Sequence, residues 1–279
     1  MDMNELEFQV NDFFERKRVS LKRWEKLLAE GWDRIGKSFL RRRFYYSDYG
    51  TTKLECMPLR YNLTIPFEFT KKQKKILAKN QDLKTIIRPL QLDDEQLALF
   101  DAWEEYRFQS YSSIHSWIVS ETIPFPSYQV CVYDKDRLIA VSYFDIAGKT
   151  QYSTIAAYLP EESHRNLGYF TLFKEIEFAL QNKRKYHHPG YAYYNNPVFD
   201  YKKTIPNAEG YCWIEKRWIP LPILQKNYEA RLAQANKSDA ETNRENSLPP
   251  KSENERLLKS EQEGVETLVS ILNMLSNIH

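Results

Sequence analysis

Between Pro126 and Tyr158 the sequence alternates apolar and polar residues in three short runs, 128–133, 138–145 and 151–158, parted by turns at 134–136 and at Gly148. Period-two alternation with tight turns reads as three consecutive antiparallel strands. Directly downstream, Phe170, Phe173, Ile176 and Leu180 share one face of residues 169–180, while Lys174, Glu175 and Glu177 lie elsewhere. That is an amphipathic helix. A meander feeding a helix sets the expected class as α+β.

The flanking chain is read the same way. Leu6, Val10, Phe13 and Phe14, then Leu21, Trp24, Leu27 and Leu28, recur at helical spacing and predict a helical lead ended by Gly31. Residues 39–46 and 59–69 read as strands around a turn at Tyr49, Gly50 and Thr51, and residues 71–80 as a basic helix. Residues 97–109 are expected to be helical, and 191–194 and 211–218 extended. Past Tyr228 the composition turns to Ser, Asn, Glu and Pro, most strongly over 236–254, as in a flexible linker. Val265, Leu268, Val269, Leu272 and Leu275 then mark an amphipathic helix whose apolar face calls for a partner or for self-association. The expected division is 1–90, an N-terminal region with the basic helix; 91–230, the main domain; 231–256, the linker; and 257–279, the C-terminal helix.

Composition narrows the functional classes. A chain of 279 residues, 42% hydrophobic, can build a sizeable core. No run approaches the roughly 18 apolar residues of a membrane span, and the polar, acidic start is unlike a signal peptide, so a cytoplasmic location is expected. The three cysteines, Cys56, Cys131 and Cys212, have no metal-knuckle spacing. A net charge of +2 leaves any RNA contact to local clusters of Lys and Arg.

Five constellations stand out. Arg165, Asn166, Leu167 and Gly168 lie between meander and helix, where backbone N–H groups suit a phosphate or a developing oxyanion; the same residues also make an ordinary strand-to-helix turn. Lys71, Lys72, Lys74, Lys75 and Lys79 form either a track for an RNA backbone or a solvated helix face. Arg41, Arg42 and Arg43 precede Tyr45 and Tyr46, and strand alternation turns Arg42 away from its neighbours. Asp145, at a strand end between Phe144 and Ile146, is either a desolvated acid facing a cation or a turn acid. Finally, Tyr191, Tyr193, Tyr194 and Asn195 with Asp200, Tyr201, Lys202 and Lys203 make either a substrate slot or a tyrosine-rich surface loop. His187 and His188, before Pro189 and Gly190, read as unliganded surface histidines. Gly-x-Ser-x-Gly, His-Glu-x-x-His and Walker motifs are absent from the sequence.

The 165–168 turn resembles the coenzyme A pyrophosphate turn of Gcn5-related acetyltransferases, except that Phe170 stands at the last small-residue position, where it would crowd a pyrophosphate. Taken in order, the motifs resemble the arginyl-tRNA–protein transferases, including the bacterial aspartate/glutamate leucyltransferases. The match runs through Gly31, the 39–46 strand, Cys56, Pro58 and Arg60, then Thr70, Gln73, Lys74, Lys75, Lys79 and Asn80. It continues at Ala140, Val141 and Asp145, at Asn166, Leu167 and Gly168, and at Tyr201, Lys202 and Glu209. The resemblance implies an acetyltransferase-like mixed, mainly antiparallel sheet flanked by helices, with an N-terminal helical and β lead and a C-terminal helix. It implies transfer of an arginyl or leucyl group from aminoacyl-tRNA to an acceptor protein's N-terminal α-amine, as in the N-end rule, without a cofactor. Under it Asp145 recognises an amine, while Arg165 and Gly168 hold the donor end or the oxyanion. Tyr193 and Arg60 bind substrate, Tyr201 and Lys202 stand near the reacting groups, and the lysine helix touches tRNA. Of the family's cysteine cluster only Cys56 remains, with Lys53 and Gly50 at the preceding positions, so no metal is expected; Leu159 and Pro160 replace an Asp-Pro pair. The competing readings are a coenzyme A-dependent acyltransferase and an inactive binding module of the same fold.

Overall fold

The computed structural model describes residues 9–16, 18–47, 52–108, 114–118 and 126–246. The meander is present as β7 (Ser127–Asp134), β8 (Arg137–Ala147) and β9 (Thr150–Tyr158), antiparallel throughout. Lys135 and Gly148, at φ 56° and 58°, make the two reversals in left-handed backbone. On β7, Val130 and Val132 pack in one apolar cluster with Leu167 and Phe170 of helix α5 (Leu167–Gln181). Cys131, between them, packs in another with Leu99, Phe100 and Trp103 of α3 (Asp94–Phe108). Alternation thus places one helix on each face of the sheet.

This sheet is larger than its meander. β6 (Lys84–Pro89) pairs with β7, and β10 (Tyr186–His188) runs parallel to β9. β5 (Thr52–Asn62) then joins β10 to the hairpin of β12 (Ala208–Cys212) and β13 (Arg217–Pro220), while β4 (Phe44–Ser47) and β11 (Tyr191–Tyr193) also pair with β5. The result is a mixed, mainly antiparallel sheet of ten strands. Because β5 sits between strands from the C-terminal half, residue 90 divides no folding unit, contrary to expectation, and one compact unit spans Met1–Tyr228.

Two helices form as their sequences require. In α1 (Leu21–Ala29) the Ser20 side chain caps the Arg23 N–H at 3.2 Å and the apolar stripe of Trp24, Leu27 and Leu28 is buried. In α2 (Lys71–Lys79) Thr70 and Gln73 complete a capping box, leaving the lysines exposed.

Four expectations are corrected. Phe13 and Phe14 lie not in a helix but in β1 (Asn11–Glu15), which pairs with β3 (Ser38–Arg42) beside β2 (Asp33–Ile35) in a small separate sheet. Arg43 breaks the expected 39–46 strand into β3 and β4 because its side chain turns inward to Glu55 at 2.7 Å. His187 and His188 are not surface residues: β10 buries both between β9 and β5. The expected linker is helical as far as it is described, within α7 (Leu221–Asn246). The turn at 49–51 and the helix at 257–279 lie outside the described residues. No helix among the described residues is long and apolar enough to cross a membrane.

A buried ion pair ties the small sheet to the large one, beside the apolar packing of Phe39 with Ala147 and Tyr152. Arg34 donates from Nε and Nη2 to Asp145 Oδ2 at 2.9 and 2.7 Å, and the two side chains are 3% and 1% exposed. Asp145 also accepts from the Ser127 hydroxyl, and Arg34 reaches the Gly36 carbonyl. Asp145→Ala leaves the guanidinium buried without its partner and should lower stability by about 3–5 kcal/mol in chemical denaturation. The double variant Arg34→Met/Asp145→Leu should lose clearly less, because neither charge then remains inside.

Candidate active site

A cleft opens where two strands part. β9 and β10 pair only through Thr150, Gln151 and Tyr152, and Gly190, at φ 84°, then turns the chain away from β9. Beyond that point Ser153, Thr154, Ile155 and Ala156 of β9 line a cleft of about 420 Å³ whose opposite lip is Pro189, Gly190 and Tyr191.

The 165–168 turn stands at this cleft. Asn166, in left-handed backbone at φ 58° and ψ 44°, swings the chain from a 3-10 turn into α5, and Asn166, Leu167 and Gly168 line the cavity. The amides of Tyr169 and Phe170 donate to the Asn166 carbonyl at 3.0 and 3.1 Å. The first amides of a helix otherwise lack intrahelical partners and carry its positive end. A Cβ at Gly168 would lie 3.7 Å from the Tyr158 ring, an ordinary contact, so the glycine supplies room and not backbone freedom. Arg165 turns elsewhere: its guanidinium holds Asp82 and Glu162 at 3.2 Å. Phe170 is buried among core side chains and does not line the cleft, so it does not crowd a ligand there; Tyr169 does line it.

Lys202 and Tyr201 enter from the short helix α6 (Asp200–Lys203). The Tyr61 hydroxyl anchors this helix by donating to the Lys202 carbonyl at 3.0 Å. The Lys202 ammonium donates to the Tyr191 carbonyl at 3.4 Å and lies 4.6 Å from the centroid of the Phe199 ring. Among the described residues no carboxylate pairs with it. Loss of solvent pulls its pKa down to about 8, against the opposing pull of Asp33 and Glu175. Burial likewise raises the Tyr201 phenol above its ordinary value, keeping it a hydroxyl donor.

Beneath Lys202 lies a polar floor. Glu175 of α5 lines a small recess with Tyr201 and Lys202 and accepts from the Ser153 hydroxyl. Burial pushes its pKa to about 8. His187 contacts Ser153 at 3.0 Å and Gln151 at 3.2 Å, stacks on Tyr61, and is held neutral by burial, its pKa near 3. The helix pattern singles out Glu175 only as a polar position; its inward turn depends on packing.

Asp145 is absent from the cleft lining, because Arg34 covers it. Arg34 and its neighbour Asp33 line the cleft instead. Asp33 accepts from the Tyr152 hydroxyl and from the Arg34 amide, the latter at 2.8 Å. Burial raises the Asp33 carboxyl, with Lys202, Arg42 and Arg34 pulling it back. No motif marked this pair; the available signal was two charges between Trp32 and Ile35, an apolar setting in which charges need a partner. Tyr193 lines a second, adjoining cavity. Arg60 binds Glu209 at 2.6 Å between the rings of Tyr186 and Trp218 and lines neither cavity. In α2, Lys74 pairs with Glu68, whereas Lys71, Lys72 and Lys75 extend into solvent. Lys79 and Asn80 donate to the carbonyls of His164 and Arg165 at 2.5 and 3.0 Å, fixing α2 beside the turn.

Residues 95–212 match the family model described as Arginine-tRNA-protein transferase, C terminus. The aspartate/glutamate leucyltransferase of Campylobacter jejuni subsp. jejuni serotype O:6 is 28% identical over 176 residues, 60% of this chain and 70% of that protein. The protein of the same name from Xanthomonas euvesicatoria pv. vesicatoria is 26% identical over 180 residues, with the same shares. Among solved structures, a GCN5-related N-acetyltransferase from Kribbella flavida aligns at 14% identity with a TM-score of 0.29, over 48% of each chain.

The polar floor has a pH signature. A carboxyl raised from 4.5 to about 8 binds more protons folded than unfolded between those values, so its contribution to stability is lost as pH rises through that window. Glu175→Gln should therefore flatten the fall of melting temperature between about pH 4.5 and 8, as read by calorimetry.

Proposed function

From the match of residues 95–212 to the arginine-tRNA-protein transferase C-terminal model, we propose that the protein transfers an aminoacyl group, leucyl or arginyl, from charged tRNA to the N-terminal α-amine of an acceptor protein. The single observation that carries this reading is the convergence of the α5 N-terminus, Lys202 and Asp33 on one cleft. The ester of a charged tRNA is already activated, so the protein must align amine and carbonyl, move one proton and hold an oxyanion.

In this scheme the ester carbonyl lies at the Leu167–Gly168 end of the cleft, where backbone donors face the developing negative charge. The acceptor amine attacks the carbonyl carbon, a C–N bond forms, and the ester C–O bond breaks. Lys202, whose lowered pKa leaves part of it neutral near pH 7, takes the proton from the attacking amine and returns it to the departing ribose oxygen. Tyr201 donates to the donor's carbonyl or ribose oxygen. Asp145 acts through Arg34, as a positioning residue for the cleft wall. Lys71, Lys72 and Lys75 continue the binding surface onto tRNA phosphates, next to the turn that α2 braces. N-terminal Asp and Glu are the acceptors by analogy with the leucyltransferases it resembles.

Purified protein, charged tRNAs labelled on the amino acid, and peptides differing in their first residue provide the test. Label should appear on peptides with a leading Asp or Glu; no label on any peptide, with acetyl transfer from coenzyme A instead, would overturn the reading. The wild-type rate should climb as pH is raised through about 8. Lys202→Ala should cost about 10² to 10⁴ in kcat and abolish that climb. Separately, replacing Lys71, Lys72 and Lys75 by Ala should lower the salt slope of tRNA binding by roughly one per lysine, without changing the preference among peptides.

A further inference from the structure

Arg34 and Arg107 line the smaller cavity and Arg42 the larger, while Arg41, Arg43, Arg60 and Arg165 line neither. Arg34 is paired with Asp145, Arg41 with Asp12, Arg43 with Glu55, Arg60 with Glu209, and Arg165 with both Asp82 and Glu162. Arg42 has no carboxylate partner among the described residues. Alternation along β3 brings Leu40 and Arg42 to the same face, and both line the second cavity, of about 860 Å³. The guanidinium is thus turned inward, toward Asp33, Cys56 and Tyr193, whose ionisation its charge affects. A fixed cation in a largely aromatic cavity is a strong site for an anion, and guanidinium matches a carboxylate in two-pronged geometry.

Asp33 belongs to both cavities, as do Tyr152, Gly190 and Tyr191. The larger cavity is therefore lined by one arginine, Arg42, and by two carboxylates, Glu104 and Asp33, of which Asp33 stands at the wall it shares with the cleft. We infer that it is the acceptor subsite, in which Arg42 receives the side-chain carboxylate of an N-terminal Asp or Glu while Asp33 receives the α-amine at the mouth of the cleft. This assignment rests on the transferase reading and adds to it the residue that reads the acceptor. A polypeptide start fits better than the tRNA end on two grounds. The α5 turn, braced by the lysine helix, lines the cleft but does not line the larger cavity. Asp33 would also repel a phosphate and attract an ammonium group.

The amine must leave its salt contact uncharged before it attacks. Asp33 gathers and orients the ammonium group, which gives its first proton to solvent water; the neutral amine then attacks and loses its second proton to Lys202 in the step described above. Asp33 is a positioning group in this scheme, and Arg42 determines specificity.

Binding and transfer separate the two layers of the argument. Peptides beginning with Asp, Asn or Lys are titrated into the full chain by calorimetry, and the same peptides are used as acceptors with charged tRNA. The Asp peptide should bind at least tenfold more tightly than the Asn peptide. Arg42→Gln should erase that difference, and Arg42→Glu should favour the Lys peptide, with folding checked by thermal melting. Affinity for charged tRNA should stay within a factor of two. In transfer, Arg42→Gln should raise KM for the Asp peptide at least tenfold with little change in kcat. Selective, Arg42-dependent binding of the Asp peptide without any transfer would sink the transferase reading and keep the subsite. Transfer to the Asp peptide that is unchanged in Arg42→Gln would sink the subsite and keep the transferase. A loss of tRNA affinity in Arg42→Gln, with peptide binding intact, would give the cavity to the tRNA end and overturn the inference.

Discussion

The site depends on one buried contact, the Arg34–Asp145 pair. Two charges withdrawn from water are stabilised only when every remaining hydrogen-bonding position is filled. Here Arg34 also holds the Gly36 carbonyl and reaches Thr154 at 3.5 Å, and Asp145 also accepts from Ser127. Apolar packing of Phe39 with Ala147 and Tyr152 also joins the two sheets, but the ion pair is directional, and Asp33, one position before Arg34, lies at the wall between the two cavities. The fold uses a costly interaction where position matters more than stability.

Around that joint, burial sorts the ionisable groups into charged and uncharged. Glu175 and His187, deep in the floor, are pushed toward their neutral forms. Lys202 is moved only part of the way, because Asp33 and Glu175 oppose the loss of solvent. The aromatic rings beside it accept the ammonium without neutralising it. A group left near its own titration point, among others held far from theirs, is equipped to carry a proton.

Much of this was legible in the sequence, for a physical reason. Strand alternation in β7 to β9, the stripe on α5 and the capping signals of α2 are local, and burial acts on them through spacing alone. The elements misread were those whose state depends on distant partners. Phe13 and Phe14 have helical spacing with Val10, yet they form a strand because Leu40 and Phe39 lie opposite them. His187 and His188 resemble loop residues until β5 and β9 close over them. The candidate site divides likewise: Gly168, Tyr201 and Lys202, singled out by order and type, line one cleft. Asp33 and Arg34 acquire meaning only by meeting Asp145, 111 residues beyond Arg34. Arg165 and Arg60 have suitable chemistry for anions, but neighbouring carboxylates already occupy them.

The parting of β9 and β10 has a mechanical consequence. Parallel neighbours cannot be joined by a tight turn, so α5 lies between them in the chain, and its buried face holds the lips at their spacing. The width of the opening is consequently governed by side chains such as Phe173 and Ile176, which do not line it. Its lining is set by Ser153, Lys202 and Tyr201, among others. Aperture and lining are written on different parts of the chain, so either can change by substitution while the other is kept.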